Sequence, residues 1–454
     1  MFLDDMRAFF DSGATRSYAF RKKQLHRLKR TIEQYEQEIY EALYADLKKS
    51  PEECWVTENG MVLGEINDAI KNLHRWMKPV SVTTNLLNQP SSSRIYAEPL
   101  GVVLVVGPWN YPFQLPIKPA VGAIAAGNCV VIKTSEFAPA TAAILKKIIT
   151  ETFDPNYVRL VDGDGAQVVP DMMRAFDFDH VFFTGSTAVG QKVYSLAAEK
   201  LTPVTLELGG KSPCIVEPDA NLRVAARRIV LAKFSNCGQM CIAPDYILVH
   251  DRVKEALIQH LRETINQFFG DDASSCSHYG KIINEKQFNR LQHFLQQVNI
   301  IHGGAHDRSR LYIEPTLIDQ PDVDSPIMQE EIFGPLLPII GYENREQALA
   351  IVRKNKNPLA MYVFTQSDET ERYWLDVIPA GGGCINNASW HLTNHRLPFG
   401  GRGHSGIGNY QGKHSFDRFS HQKSILKTPT WFDPNVKYPP FTGKLKLFKW
   451  FIGK

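Results

Sequence analysis

Two cysteines stand four residues apart in Ser235-Asn-Cys237-Gly-Gln-Met-Cys241-Ile-Ala-Pro, a small polar stretch whose glycine leaves room for a ligand beside the sulfur. A cysteine in such a segment can be reactive and exposed to a ligand, although most isolated cysteines are only small buried hydrophobes. Upstream, Val204-Thr-Leu-Glu207-Leu-Gly-Gly-Lys places one carboxylate in an apolar run that ends in two glycines. A glutamate buried there rises in pKa and gains strength as a general base, whereas a surface or salt-bridged glutamate is the commoner case. Gly107-Pro-Trp-Asn110-Tyr-Pro follows a β-branched run and offers an amide donor at the end of a strand, or only a capped turn. Gly185-Ser-Thr-Ala-Val-Gly190 lies between a predicted strand and a predicted helix, where free N–H groups and the helix dipole suit a phosphate. Its spacing is not the usual dinucleotide fingerprint, so a tight turn without a ligand accounts for it equally well. Gly163-Asp-Gly165 reads as a turn.

The elements that must position these residues show in the hydrophobic pattern. From Leu25, apolar residues fall at Leu28, Ile32, Tyr35, Ile39 and Leu43, which predicts one long amphipathic helix. A second helix is expected over Val62–Met77, ending at Lys78-Pro79, and the Val-, Thr- and Ser-rich stretch after it reads as an exposed, paired extended segment. Gly101-Val-Val-Leu-Val-Val is the continuous β-branched run of a strand covered on both faces, and Cys129-Val-Val-Ile repeats it after a helical interval. With His180-Val-Phe-Phe as a third such run, the first two hundred residues take on the strand–helix–strand order of a doubly wound nucleotide-binding domain.

Composition narrows the partners. Fifty-one lysines and arginines against 48 acids leave a net charge of +3, too small to draw nucleic acid, so a small molecule is the expected ligand. The N-terminus is acidic where a cleaved signal needs positive charge, and no secretion signal is expected. The seven cysteines are odd in number and lack zinc-type pairs, which fits a reducing cytoplasm and no metal site. The longest nearly apolar run, Ala120 to Ile132, contains Asn128 and is shorter than the roughly 18–20 residues that span a bilayer.

Taken in order, GPWNYP (Gly107 to Pro112), the box from Lys133 to Glu136, FTGSTAVG (Phe183 to Gly190), LELGGKSP (Leu206 to Pro213), GQMCIAPDYIL (Gly238 to Leu248), EEIFGP (Glu330 to Pro335) and LPFGG (Leu397 to Gly401) resemble the aldehyde dehydrogenase superfamily over nearly the whole chain. EINDAIKNLHRWMKP (Glu65 to Pro79), GKHSFDRFSH (Gly412 to His421) and KYPP (Lys437 to Pro440) point to the class 3, fatty-aldehyde branch. The resemblance implies an α/β fold: a Rossmann-type cofactor domain (1–78 and 99–206), an α/β catalytic domain (207–411), a small β bridging and oligomerisation arm (79–98 and 412–438) and a basic, apolar tail (439–454). It implies a homodimer paired through the arms.

The same resemblance assigns roles. Cys241 is the expected nucleophile, Asn110 and the Cys241 N–H the oxyanion donors, and Glu207 the base that activates hydrolytic water. Lys133 and Glu136 fall at the adenosine ribose, Gly185 and Ser186 at the pyrophosphate, and Glu331 and Phe333 at the nicotinamide ribose and ring. The cofactor expected is NAD, with NADP also accepted in this branch. Trp109, Tyr111, Met240 and Phe399 are expected to line an apolar pocket for medium- or long-chain aliphatic or aromatic aldehydes. Thr134, Arg402 and Asn387 depart from the family pattern at positions with no expected catalytic part. Met240 and Cys237 also depart from it, and a Cys237–Cys241 disulfide is a weaker alternative to an inert Cys237. The tail has four lysines and no acid among aromatics and aliphatics, which fits an amphipathic membrane contact, a lid or a docking segment. An acylating, coenzyme A-dependent enzyme is disfavoured because such relatives generally lack the glutamate present here as Glu207. A catalytically silent structural relative would have no physical reason to keep Asn110, Glu207 and Cys241 together.

Overall fold

The computed structural model describes residues 2–452. Its strands are β1 (Val80–Val82), β2 (Ser92–Pro99), β3 (Val102–Val106), β4 (Cys129–Lys133), β5 (Val158–Val161), β6 (His180–Thr184), β7 (Val204–Glu207), β8 (Pro213–Val216) and β9 (Tyr246–His250). There follow β10 (Asn299–His302), β11 (His306–Asp307), β12 (Tyr312–Ile313), β13 (Thr316–Asp319), β14 (Leu336–Tyr342), β15 (Ala360–Phe364), β16 (Gly382–Ile385), β17 (Gly406–Ile407) and β18 (Ser420–Lys427).

Strands β3, β4 and β6 are buried along their whole length, which is why their sequences are continuous β-branched and aromatic runs without alternation. They form the centre of a six-stranded sheet, in the order β17-β7-β6-β3-β4-β5, parallel throughout except for β17. The chain leaves β3 toward β4 and β5 on one side and returns to β6 and β7 on the other, so the carboxyl ends of β3 and β6 flank the crevice where such sheets take ligands. A second sheet, β10-β13-β14-β9-β8-β15-β16, is parallel apart from β10. The third, β1-β2-β18, is antiparallel and carries exposed Val80, Val82, Ile425 and Leu426. Gly406–Ile407, from late in the chain, closes the edge of the first sheet against Leu206 and Glu207.

One local expectation is corrected. The stripe from Leu25 to Leu43 is carried by two helices, Tyr18–Gln34 and Glu36–Leu47, because Tyr35 leaves helical geometry at φ −100°, ψ 20°. The break keeps Leu28, Ile32, Ile39 and Leu43 on the core side, so the spacing of apolar residues does not reveal it. The apolar run from Ala120 ends a helix at Ala126 and resumes as β4, with Gly127 at φ 96° between them. The one amide in that run is a staple: Asn128 donates to Ala123 O (3.1 Å) and Phe419 O (2.9 Å) and accepts from Gly101 N–H (2.9 Å).

The helix Gln114–Ala126 crosses the C-terminal helix Lys413–Arg418 at Gly122, where an added Cβ would lie 2.3 Å from Ser415 Cβ. Gly122→Ala gains about 1 kcal/mol of helix propensity, but overpacking costs about 1–3 kcal/mol, so the clash outweighs the propensity. Urea unfolding of this variant is expected to show a loss of about 1–2 kcal/mol. A gain in stability would mean that the contact yields without strain.

Candidate active site

A cavity of about 770 Å³ lies at the carboxyl ends of the parallel strands in the first sheet. Trp109 and Asn110 reach it from the turn after β3, Lys133 and Glu136 from the end of β4, Gly185 and Ser186 from the turn after β6, and Glu207 from the end of β7. The side facing the second sheet contributes Cys241, Arg290, Glu331 and Phe333. The ten residues expected at the catalytic centre, the cofactor and the indole of Trp109 therefore share one enclosure.

Cys241 follows a turn that the backbone adopts under strain. Asn236, Cys237 and Gly238 have φ of 50°, 52° and 70° in succession, a conformation that favours glycine. Buried hydrogen bonds hold it. Asn236 N–H donates to Glu53 Oε1 (2.7 Å), and Asn236 Nδ2 donates to Asn110 O (2.7 Å). Gln239 Nε2 reaches Asn236 O and Lys281 O (both 3.0 Å), while its Oε1 accepts from Ile283 N–H (3.0 Å). Burial raises the Cys241 thiol, and the carboxylates of Glu331 and Glu207 push the same way, against its own N–H and that of Ile242.

Asn110 is buried, and one N–H of its Nδ2 donates to Gln239 O at 3.1 Å, which aims the amide along the nucleophile turn. Its carbonyl is held from behind by Lys49 Nζ (3.3 Å), whose ion-pair partner Glu58 (2.7 Å) accepts the N–H of Gln114 (2.7 Å). Lys49 and Glu58 are both fully buried, a costly pairing that persists only with its hydrogen bonds complete. Neither carries a local signal in the sequence.

Glu207 is 4% exposed, and neither carboxyl oxygen has a hydrogen-bond partner. Burial drives its pKa well up, against the field of Arg418, which strengthens its carboxylate as a base toward a water in the cavity. At the far end of the cavity, Lys133 Nζ bonds Thr134 O and Glu136 Oε2 (3.4 Å), and Gly165 N–H donates to Glu136 Oε1 (3.3 Å). A Cβ at Gly165 would stand 3.5 Å from Glu136 and 3.9 Å from Lys133, space that the glycine leaves beside this donor–acceptor pair. Ser186 caps the helix Thr187–Ala198 by accepting from Val189 N–H (3.5 Å), leaving the first turn of that helix facing the cavity. Gly190 lies inside the helix, where a Cβ would strike Leu208 at 2.5 Å, so its role is close helix–strand packing.

Burial and the Asp245 carboxylate raise the Glu331 carboxyl to about 8, and the Gly210 N–H opposes them. Glu331 packs onto Gly209, and Phe333 stands edge-on to Trp109 with ring centroids 5.2 Å apart. A phosphate-facing helix start, the Lys133–Glu136 donor–acceptor pair and the Glu331 carboxyl beside Phe333 fit an extended nicotinamide dinucleotide.

The rest of the expected aldehyde pocket is not on this cavity. Tyr111 is buried under Lys49 Nζ, 3.9 Å from its ring centroid. Phe399 is sandwiched between His391 (5.8 Å) and Tyr410 (5.7 Å), and Met240 packs against the hydrophobic core. Cys237 is buried and turned toward Tyr279 and the Gly280 N–H, which supports the inert alternative over pairing with Cys241.

A Cβ on Gly209 would lie 1.9 Å from Glu331 Oε2, so Gly209→Ala must displace that carboxyl. Titration calorimetry with NAD is expected to show at least about tenfold weaker binding, the loss of one charge-assisted hydrogen-bond pair. Unchanged affinity would remove Glu331 from the cofactor site.

Comparison with known proteins agrees with this geometry. Residues 3–425 match the model of the aldehyde dehydrogenase family. The 4,4'-diaponeurosporen-aldehyde dehydrogenase of Staphylococcus aureus is 46% identical over 99% of this chain and 98% of its own length. The dimeric, NADP-preferring aldehyde dehydrogenase of Canis lupus familiaris is 41% identical over 97% of both chains. A solved structure described as the substrate-bound state of Staphylococcus aureus AldH covers 99% of this chain and 98% of its own, with a TM-score of 0.97 at 46% identity. A parallel sheet with a dinucleotide crevice, facing a second sheet that brings a cysteine to its mouth, is thus the mixed α/β fold of these enzymes, and the chain belongs to the aldehyde dehydrogenase family as an NAD(P)-dependent oxidoreductase of aldehydes.

Proposed function

We propose that Cys241, Asn110 and Glu207 carry the chemistry in the roles that their positions support. The Cys241 thiol passes its proton to a water in the cavity, and its sulfur bonds to the aldehyde carbonyl carbon as the carbonyl π pair moves onto oxygen. The new oxyanion is held by Asn110 Nδ2 and the Cys241 N–H, donors of which each is worth about 10²–10³ in rate in comparable sites. When bound, the oxidised nicotinamide cofactor accepts the aldehydic hydrogen with its electron pair. Glu207 then takes a proton from a water that attacks the remaining thioester, the carbon–sulfur bond breaks, and a carboxylic acid leaves. The observation that carries this reading is the buried, unpartnered carboxyl of Glu207 on the same cavity as Cys241, a base with no structural employment. An enzyme that handed its thioester to coenzyme A would not need it.

Rapid-mixing kinetics test these roles. Glu207→Gln is expected to form one equivalent of NADH per site and then turn over roughly 10²–10⁴-fold more slowly, because only deacylation has lost its base. Cys241→Ser is expected to show no burst. A burst-free Glu207→Gln, or wild-type turnover that appears only with coenzyme A, would reverse the assignment.

We infer an NAD preference from Glu136, whose carboxylate opposes a 2′-phosphate, with NADP tolerated because the group is about one-third exposed and Lys133 lies beside it. The grouping of strands supports a division into a cofactor domain (1–78 and 99–206), a catalytic domain (207–411) and an arm (79–98 and 412–438). Exposed apolar residues on β1 and β18 support pairing of two arms in a homodimer.

The substrate class is inferred to be medium- or long-chain aliphatic or aromatic aldehydes, met at a membrane surface of the cytoplasm. Among the described residues no helix is long and apolar enough to cross a membrane. The helix Leu445–Ile452 exposes Leu445, Leu447, Trp450 and Ile452 among lysines, and it packs against the turn Leu86–Asn88, whose Leu86 and Leu87 are also exposed. A basic, apolar patch of this kind suits an anionic interface. Sedimentation with anionic vesicles is expected to retain the full chain and to release a chain ending at Tyr438, with neither held by zwitterionic vesicles. Equal retention of both chains would remove the tail from membrane contact.

A further inference from the structure

The loop from Ile327 to Phe333 presents Glu331 and Phe333 to the cavity. It passes from a four-residue helix, Pro326–Gln329, to β14 through Phe333 at φ 48°. Beyond the short helix its backbone is held by side chains from elsewhere, and Asn355 Nδ2 donates to Met328 O (3.3 Å). Lys211 Nζ donates to Ile327 O (2.7 Å) and Glu330 O (2.9 Å). Asp245 Oδ1 accepts from Ile332 N–H (3.0 Å), and Arg290 donates to Glu331 O (3.1 Å) and Ile332 O (2.6 Å).

Lys211 and Asp245 are bound to each other at 2.5 Å, and their side chains are 2% and 5% exposed. They come from the two segments that matter most to the chemistry. Lys211 follows Gly209-Gly210, onto which Glu331 packs, and Asp245 lies four residues after Cys241, its own N–H donating to Ser212 O (2.9 Å). A second buried amine, Lys233, has no hydrogen-bond partner and stands in the field of Asp245 and Glu331. A buried ion pair is a poor way to gain stability, since an apolar pair of the same volume commonly holds a fold as well. What it adds is direction: one ammonium reaching two carbonyls and a carboxylate fixes a register that apolar packing leaves free to slide.

We propose that the Lys211–Asp245 pair is a positioning device that locks the Ile327–Phe333 loop to the nucleophile turn and so sets where Glu331 and Phe333 stand relative to Cys241. The proposal rests on the roles assigned above to Cys241, Glu331 and Phe333. Neither Lys211 nor Asp245 touches the reacting atoms; they act through the loop.

The test separates steps that need the loop from those that do not. Asp245→Asn keeps the acceptor for Ile332 N–H and removes the charge that Lys211 needs. Three readouts are compared: NADH formation in a single turnover, acylation of Cys241 by p-nitrophenyl acetate without cofactor, and binding of ADP, which reports the Lys133–Glu136 end. Single-turnover NADH formation is expected to fall at least about tenfold further than acylation, as a misplacement near 1 Å costs about 10²-fold. ADP binding is expected to fall by less than about twofold, that end being remote from the loop. Combined with Glu331→Gln, the substitution is expected to cost no more than the worse single variant, because both act on one group. Arg290→Met, which removes two further loop contacts without touching the ion pair, is expected to give the same pattern more weakly and serves if Asp245→Asn does not fold. Equal losses in all three readouts, or additive losses with Glu331→Gln, would overturn the proposal. If Glu331→Gln alone left NADH formation intact, the role of Glu331 would fall, and the proposal with it.

Discussion

Three consecutive residues in left-handed geometry, Asn236, Cys237 and Gly238, bring the chain from the helix Leu222–Phe234 to Cys241, and the rest of the site is arranged around keeping them there. Left-handed backbone costs an ordinary residue about 1–2 kcal/mol, so this turn would relax without external support. At Gly238 a side chain is excluded outright, since a Cβ would lie 2.3 Å from Gly334 O. The support is polar and buried: Glu53, Asn110, Gln239 and, behind Asn110, the Lys49–Glu58 pair. Because these bonds lie in a medium of low effective dielectric, each is strong when made and expensive when broken. The nucleophile turn therefore cannot shift without disturbing the amide proposed to receive the oxyanion.

The same burial sets the resting charge. The thiol of Cys241 and the carboxyls of Glu207 and Glu331 are all pushed up, chiefly by loss of water. Each shift favours the uncharged form and so limits the repulsion among three acidic groups around one cavity. A ligand that fills the cavity changes this field, and with it the ease of proton transfer.

The parts of this molecule that were legible in sequence are those whose cause is local. β3, β4 and β6 announced themselves because burial on both faces demands unbroken apolar runs, and Asn110, Glu207 and Cys241 sit in short motifs with their own glycines and prolines. The break at Tyr35 was hidden because the apolar stripe continues through it. Lys49, Glu58, Lys211 and Asp245 carry no signal as a group because each is an ordinary charged residue in sequence and becomes unusual only when the fold buries it against its partner.

A site built where two sheets meet places its demands on the joint. The first sheet brings Asn110 and Glu207, the second brings Cys241 and Glu331, and no covalent geometry fixes the distance between the two sets. Apolar packing would hold the sheets together but is nearly indifferent to a slide of an ångström, while transfer between groups on opposite walls is not. Directional contacts must carry that last increment of precision. They are seen in Asn236 Nδ2 on Asn110 O, Asn110 Nδ2 on Gln239 O, and Lys211 on the loop of Glu331. The buried charges that look wasteful for stability are in this sense the means by which two separate sheets share one set of atomic coordinates.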